Sequence, residues 1–466
     1  MRRIFCVNIC LSQSFKPITY APQNTILDLG ADFYDPVKPA EFNGLKLRYK
    51  DESLAGAVGL SLDEDDWLKH FGRFEPLKGS LKQPLAQRYH GHQFRHYNPD
   101  IGDGRGFLFA QLKDKDGRLL DLGTKGSGQT PYSRQGDGRL TLLGGVREVL
   151  ATRYLEHMGV NTARTFSLVE TDEALTRHDE PSPTRAAVMT RLQHSHIRFG
   201  TFQRQAFFGQ IDNLEALVEY CQKHYYPEAD SPAKLLEAAA LNSAEMIASW
   251  MAAGFVHGVM NTDNMNITGE CFDYGPYRFL PAYDPRFTAA YFDHSGLYAF
   301  GRQPEAMGWN LGQLAQSLSL IAEDKLLIAA LETYPEAYQK ALNRRILHRF
   351  GVEAKGVEKD AEFIRQTFTV LQQSRCPWPE FWHDWQGGAE RSSGRADSGQ
   401  IGNYEGDTFK DWLASFKTYD ANRARPETDV PASLLYDEIG ALWAPIDKHD
   451  DWSEFEAKLA TYTGCN

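Results

Sequence analysis

The spacing of apolar residues changes character once along this chain. Between residues 101 and 195 they come in short runs. "GFLFAQLKD" and "RLLDLGTKG" are apolar-rich and joined through "KDG", which predicts a hairpin with Gly117 at its turn. "TFSLVETDE" and "AAVMTRLQ" predict two further strands. Between the pairs, "LLGGVREVLATRYLEHMGV" (142–160) places Val146, Val149, Leu150, Tyr154 and Leu155 on one helical face, with Gly159 as its stop. From about residue 200 the period is helical. "LEALVEYCQKHYY", "PAKLLEAAALNSAEMIASWMAAGF", "GWNLGQLAQSLSLIAEDKLLIAALETY" (broken near Glu323) and "YPEAYQKALNRRILHRFGV" follow in turn. "QGGAERSSGRADSGQIGN" (386–403) is Gly/Ser-rich and predicts a flexible loop. The expected class is therefore α+β, without internal repeats. It divides into an N-terminal extension (1–95), a strand-rich lobe (96–197), a helical lobe (198–350) and a C-terminal helical extension (351–466).

Composition narrows the function classes. With 42% hydrophobic and 24% charged residues over 466 positions, the chain is of ordinary globular make-up. A formal charge of -12 argues against a nucleic-acid partner, which needs an extended basic surface. A polyanion such as ATP would need a local cluster of Arg and Lys. The cysteines (Cys6, Cys10, Cys221, Cys271, Cys376, Cys465) are scattered with no CxxC pair, so neither a zinc site nor a disulfide framework is expected. Nothing approaches the roughly 18–20 apolar residues of a membrane span. "MRRIFCVNICLSQSF" is interrupted by Asn8 and lacks an A-x-A site, which argues against a secretory signal and for a cytoplasmic location. An organelle presequence stays open, because no acidic residue precedes Asp28.

A small strand-rich lobe with a Gly-rich segment, followed by a larger helical lobe, is the bilobal plan of protein kinases. Candidate chemistry follows that order. In "PDIGDGRGFLFAQL", Gly102 and Gly104 leave amides uncovered before a strand, and Arg105 adds charge suited to phosphate. Alone, such a segment is equally well a plain turn. Lys125 closes the second strand of the hairpin, and Glu148 lies 23 residues on, where an ion pair would fix the ammonium beside a phosphate. A second Gly-rich loop, "KGSGQTPYSRQGDGR", carries Arg134, Asp137, Gly138 and Arg139 and could fold over a nucleotide. Arg191 and Arg198 flank His194 and His196; no carboxylate cluster accompanies these histidines, so no metal is expected there.

"HGVMNTDNMNITGECFDYGP" (257–276) reads as a phosphotransferase catalytic loop with one substitution. His257 and Gly258 match H-x-D, but Val259 stands at the usual base. Asn264, five residues later, and Asp273, nine beyond that on the far arm of a short hairpin, supply oxygen ligands for Mg²⁺. Asp263 directly precedes the Asn. The metal half is intact while the carboxylate has moved. On these residues alone, altered chemistry and a catalytically silent pseudokinase both remain open.

The segments "NPDIGDGRGFL", "TKGSGQTPYSRQGDGR", "REVLATRYLEHMGV", "MTRLQHSHIRFGTF" and "HGVMNTDNMNITGECFDYGPYRFLPAYDP", with "YAFGRQPEAMGWNLGQLA" in weaker support, span roughly 90–315 in order. In them the chain resembles the selenoprotein O (SelO, YdiU-type) family of kinase-fold protein adenylyltransferases. The resemblance implies ATP inverted relative to kinases, with AMP passed to Ser, Thr or Tyr hydroxyls of proteins and pyrophosphate released. It further implies that Gly102, Gly104, Arg105, Lys125, Asp137, Gly138, Arg191, Arg198 and Asp273 contact ATP and that Lys125 pairs with Glu148. Asn264 and Asp273 would hold Mg²⁺, or Mn²⁺ in its place, and Asp263 would accept the proton. The alternatives are a nucleotide-binding pseudokinase scaffold and an atypical protein kinase. Ser127, Gln129, Gly144 and Gly145 depart from the family pattern, as does "FTAAYFDHSGLYAF". No cysteine stands just after Asp273 to meet Cys465, so redox control through a terminal disulfide stays open.

Overall fold

The computed structural model describes residues 19–178, 180, 182–389, 404, 406–424, 428 and 430–462. The first fifteen residues with Cys6 and Cys10, most of the 386–403 loop, and Cys465 lie outside the described residues.

The expected hairpin forms between Leu108–Lys113 and Leu119–Lys125, with Lys113 opposite Leu119 and Leu108 opposite Gly123. Asp114 Oδ1 accepts from the amides of Asp116 and Arg118, and Gly117 takes φ +79° at the turn. Every residue of Leu119–Lys125 is buried, as a central strand covered on both faces requires. Arg164–Leu175 and Thr184–Gln193 complete the middle of the sheet, and Thr184–Gln193 pairs with Leu119–Lys125.

The sheet is wider than the 96–197 segment. Pro22–Gln23, Tyr34–Pro36, Leu45–Lys50 and Leu85–Gln87 all join it. Its order runs 34–36, 85–87, 108–113, 119–125, 184–193, 164–175, 45–50, with 22–23 added on 108–113 and 140–141 on 184–193.

Helix Leu142–His157 packs on one face of this sheet. Thr141 Oγ1 accepts from Gly144 N at 3.0 Å and starts the helix. Gly145 has a packing reason. A Cβ there would stand 2.4 Å from Leu168 Cδ1, so helix and sheet approach closely only with glycine. On the opposite face Trp67, Phe71, Phe74, Phe109 and Phe166 form a separate apolar core beneath helix Glu64–Phe71.

The helical part is built around Pro232–Ala253, which packs against Gln303–Leu318 and Thr333–Phe350. The break expected near Glu323 is present: Glu323 is extended and precedes helix Asp324–Leu331. Gly254 ends the central helix at φ +71°, and strand Phe255–Val256 then pairs with Arg278–Phe279. That pairing closes the 257–277 loop at both ends and aims it at the sheet. The result is the kinase-like bilobal arrangement, with a cleft between sheet and helices.

Later helices include Val357–Ser374, Trp378–Trp385 and Asp407–Phe416, knit by Phe350, Phe363, Trp412 and Phe416. Helix Tyr436–His449 returns to the sheet. Beyond it Asp450 receives Lys46 Nζ at 2.7 Å, Arg48 Nη2 at 2.6 Å and Arg185 Nη2 at 2.8 Å. Among the described residues no helix is long and apolar enough to cross a membrane.

Candidate active site

A cavity of about 780 Å³ lies in the cleft. Gly102, Gly104, Arg105, Lys125, Asp137, Gly138, Arg191, Arg198, Asp263, Asn264 and Asp273 all line it, and Glu148 lies directly behind Lys125. Segments more than 170 residues apart in sequence are thus brought to one place.

The sheet supplies the cations. Lys125 ends its strand, and its Nζ pairs with Glu148 from the packed helix and with Asp273 Oδ1 at 3.0 Å. Strand pairing sets Arg191 opposite Gly123, beside Lys125. Its Nη1 lies 3.7 Å from Glu148 Oε2 and 3.9 Å from Asp273 Oδ1. Arg198, at the start of helix Phe199–Phe207, is stacked on two rings, 4.5 Å from Tyr89 and 4.7 Å from Phe272. It donates to the Asp263 carbonyl at 2.7 Å and stands 3.8 Å from Asp273 Oδ2. Burial opposes ionisation of Asp273, but Lys125, Arg191, Arg198 and Arg105 outweigh it and hold the carboxyl well below the usual range. Arg191 Nε and Nη1 and Arg198 Nε are buried without a hydrogen-bond partner.

The two Gly-rich segments pack on each other. A Cβ on Gly102 would lie 2.5 Å from the Tyr132 ring, and Ser133 Oγ donates to the Gly104 carbonyl. Thr130 Oγ1 likewise donates to the Asp103 carbonyl. Glycine at 102 is therefore required by the second loop as well as available to a ligand. Asp137, half exposed on the far wall, accepts from Arg177 Nη1 at 2.8 Å and from Arg139 N at 2.9 Å. Burial pushes its carboxyl up, but these partners prevail and lower it.

The helical part supplies the loop. His257 is buried, its Nε2 at 3.2 Å from the Phe272 carbonyl. Asn264 Nδ2 donates to the Val259 carbonyl at 2.9 Å, so the residue at the usual base position instead fixes the Asn amide. Asp263 sits in the short helical turn Thr262–Asn264, its carboxylate buried and Oδ1 without a hydrogen-bond partner. Burial is the main cause that pushes its carboxyl up to about 6, against the pull of Arg198. Gly91 crosses directly above: a Cβ there would come 2.7 Å from Asp263 Oδ1. Asp273 adopts φ +61°, a conformation uncommon outside glycine and tolerated best by Asn and Asp.

The hairpin expected across 265–273 does not form. Asn266 bridges to Arg198 and Cys271 to Thr162, so the arms pair with separate neighbours. His194 and His196 are structural. His194 packs on Tyr225, and His196 N donates to Asp121 Oδ2 at 2.8 Å.

Glu270 is buried where it accepts the His194 amide at 2.8 Å, and burial pushes its carboxyl up to about 7. An acid raised on folding stabilises the fold below its unfolded value and loses that contribution as pH rises through about 7. Glu270→Gln keeps an oxygen for the amide and removes the charge. Its stability relative to the parent should rise between pH 5 and pH 8, by up to about 3 kcal/mol, in denaturant titrations. A constant difference across that range would refute the assignment.

The match to known sequences is nearly full length. The family model for protein adenylyltransferase SelO covers residues 16–463. The chain belongs to the SelO family of protein adenylyltransferases. A protein nucleotidyltransferase YdiU from Synechocystis is 42% identical, across 96% of this chain and 98% of its own. The YdiU protein of Gloeobacter violaceus is also 42% identical, across 92% of each chain. The one from Synechococcus elongatus reaches 47% across 79% of this chain and 75% of its own. Membership makes the chain an enzyme of the nucleotidyltransferase class. Among solved structures, a Toxoplasma gondii rhoptry antigen kinase domain aligns over 63% of this chain and 85% of its own, at 12% identity and TM-score 0.24. That likeness is too low to bear on function.

Several lining residues have no motif to announce them in this family member. Tyr89, Asp103, Tyr132 and Arg177 all border the cavity. For Asp103 the one available signal is its place between Gly102 and Gly104, left unused in the sequence-based expectations; Arg177 has none, since nothing in "TRHD" distinguishes it from a surface turn.

Proposed function

We propose that this protein is a Mg²⁺-dependent adenylyltransferase acting on Ser, Thr or Tyr hydroxyls of other proteins, with ATP inverted relative to kinases. One observation carries the reading. Lys125, Arg191 and Arg198 converge around Asp273 on the cavity that Asp263 also lines. The acceptor oxygen attacks the α-phosphorus, and the bond from that phosphorus to the bridging oxygen breaks. Pyrophosphate leaves with the bonding pair, and the hydroxyl proton passes to the Asp263 carboxylate. Lys125, Arg191 and Arg198 neutralise the triphosphate, Glu148 keeps Lys125 in place, and Asp137 with Gly138 forms the outer wall.

The donor set suits a hard divalent cation. With Asn264 Nδ2 committed to the Val259 carbonyl, its amide oxygen is the atom left over, and the charged neighbours of Asp273 keep it ionised. Asn264 and Asp273 would hold the ion, which when bound neutralises phosphate oxygens. A net charge of -12 supports protein acceptors over nucleic acid, and a cytoplasmic site of action fits the scattered cysteines.

Paired incubations with α-³²P-ATP and γ-³²P-ATP test the reading. Protein labelled only from the α position is expected. Label from the γ position would make the protein a kinase, and label from neither a silent scaffold.

A further inference from the structure

The two carboxylates that meet Lys125 come from different parts of the chain, and one aromatic side chain outside the cavity lining meets Arg147, next to Glu148, and Arg278, five residues beyond Asp273. Glu148 follows Arg147 on helix Leu142–His157; Asp273 is followed by Tyr277 and Arg278. Tyr277 Oη donates to the Arg147 carbonyl at 2.6 Å, and the Arg147 guanidinium lies 4.9 Å from the Tyr277 ring. This bolts the Asp273 segment to the Glu148 helix. Outside the bolt stands Tyr436, the first residue of helix Tyr436–His449. The Arg278 guanidinium lies over its ring at 4.3 Å and that of Arg147 at 5.6 Å. One cation belongs to each lobe.

Like charges gathered on one ring repel, and the attraction of each guanidinium to the Tyr436 ring offsets that repulsion. The Tyr436 segment is itself anchored. Tyr154 Oη, on the Glu148 helix, donates to the Ala432 carbonyl at 3.0 Å. Downstream, Asp450 is held by Lys46, Arg48 and Arg185 on the sheet. Tyr436 is half exposed and not among the residues lining the cavity, so its contact with both arginines is not explained by core packing.

We propose that Tyr436 is a positioning residue for nucleotidyl transfer, clamping Arg147 to Arg278 and thereby fixing Glu148 and Asp273 around Lys125. The proposal rests on the reading that the Lys125–Glu148 pair orients the nucleotide. A displaced catalytic group costs turnover steeply, whereas binding contacts elsewhere survive.

In the full chain, Tyr436→Ala should lower kcat for α-label transfer about tenfold, with KM for ATP changed less than twofold. Tyr436→Phe, which keeps the ring, should stay within twofold of the parent. In a Glu148→Gln background, already slowed, Tyr436→Ala should cost clearly less than it does in the parent, because only the Asp273 arm of the clamp is left to lose. Should Tyr436→Ala fail to give a cooperative melt, Arg278→Met is read in its place, with the same loss and the same lack of additivity expected. A wild-type kcat, an equal loss in the Phe variant, or a loss that multiplies with Glu148→Gln overturns the proposal. A Glu148→Gln enzyme with undiminished transfer instead overturns the underlying ion-pair reading.

Discussion

Asp273→Asn should reduce AMP transfer by on the order of 10³ or more while leaving the fold in place. The substitution keeps the shape of the side chain and removes its charge. Lys125 at 3.0 Å, Arg198 at 3.8 Å and Arg191 at 3.9 Å all face that carboxylate; in the variant Lys125 and Arg191 keep only Glu148 nearby and Arg198 keeps Asp103 at 3.5 Å. Any cation shared with Asn264 loses its one charged protein ligand. Two functions fail together, which is why the effect exceeds that of removing either contact. Helical content by circular dichroism should be unchanged, because Asp273 caps no helix and its side chain is 28% exposed. Transfer is read as α-label on protein at saturating ATP and Mg²⁺. Activity within tenfold of the parent would remove Asp273 from the site as proposed.

What could be read from the residues depended on whether a signal was local. The 108–125 hairpin and helix 142–157 each carry a complete pattern, with runs, turn chemistry and a stop, and both stand where expected. Leu45–Lys50 alternates Leu45, Leu47 and Tyr49, yet six residues of alternation amid turns do not say which sheet they join. Strands of two or three residues, such as Pro22–Gln23 and Leu85–Gln87, carry no period at all. They exist because a neighbour already formed offers an edge.

The same division holds in the cleft. Lys125, Glu148, Asn264 and Asp273 could be picked out because their chemistry demands those types at familiar separations. Asp137 with Arg177, forty residues apart, or Gly102 beneath Tyr132, depends on how two loops fold over each other. The Gly91 approach to Asp263 is of the same kind, and it is this burial that raises the carboxyl. Sequence types thus located the charges, while the coverings that tune them became visible only in three dimensions.

Asp263→Asn should lower kcat by about 10²–10⁴ without weakening ATP binding. The separation of the two effects follows from the contacts. Arg198 grips the Asp263 backbone carbonyl, which the substitution keeps, so the guanidinium stays in place for the nucleotide. The side chain ties down less of the structure: its Oδ1 has no hydrogen-bond partner, and the carboxylate's side-chain partner is Gln93, which an Asn amide oxygen can also serve. An acid whose carboxyl is pushed up to about 6 accepts a proton readily yet is ionised at neutral pH, as a general base should be. The working form is the carboxylate, so kcat/KM for the parent should rise with pH, through an inflection at or below about 6, and then level off. In Asp263→Asn that acid limb should vanish from whatever transfer remains. ATP affinity measured by calorimetry separates the cases. Weak binding with a proportionate loss of rate would make Asp263 a scaffold for Arg198, whereas intact binding with a collapsed rate assigns the proton to its carboxylate.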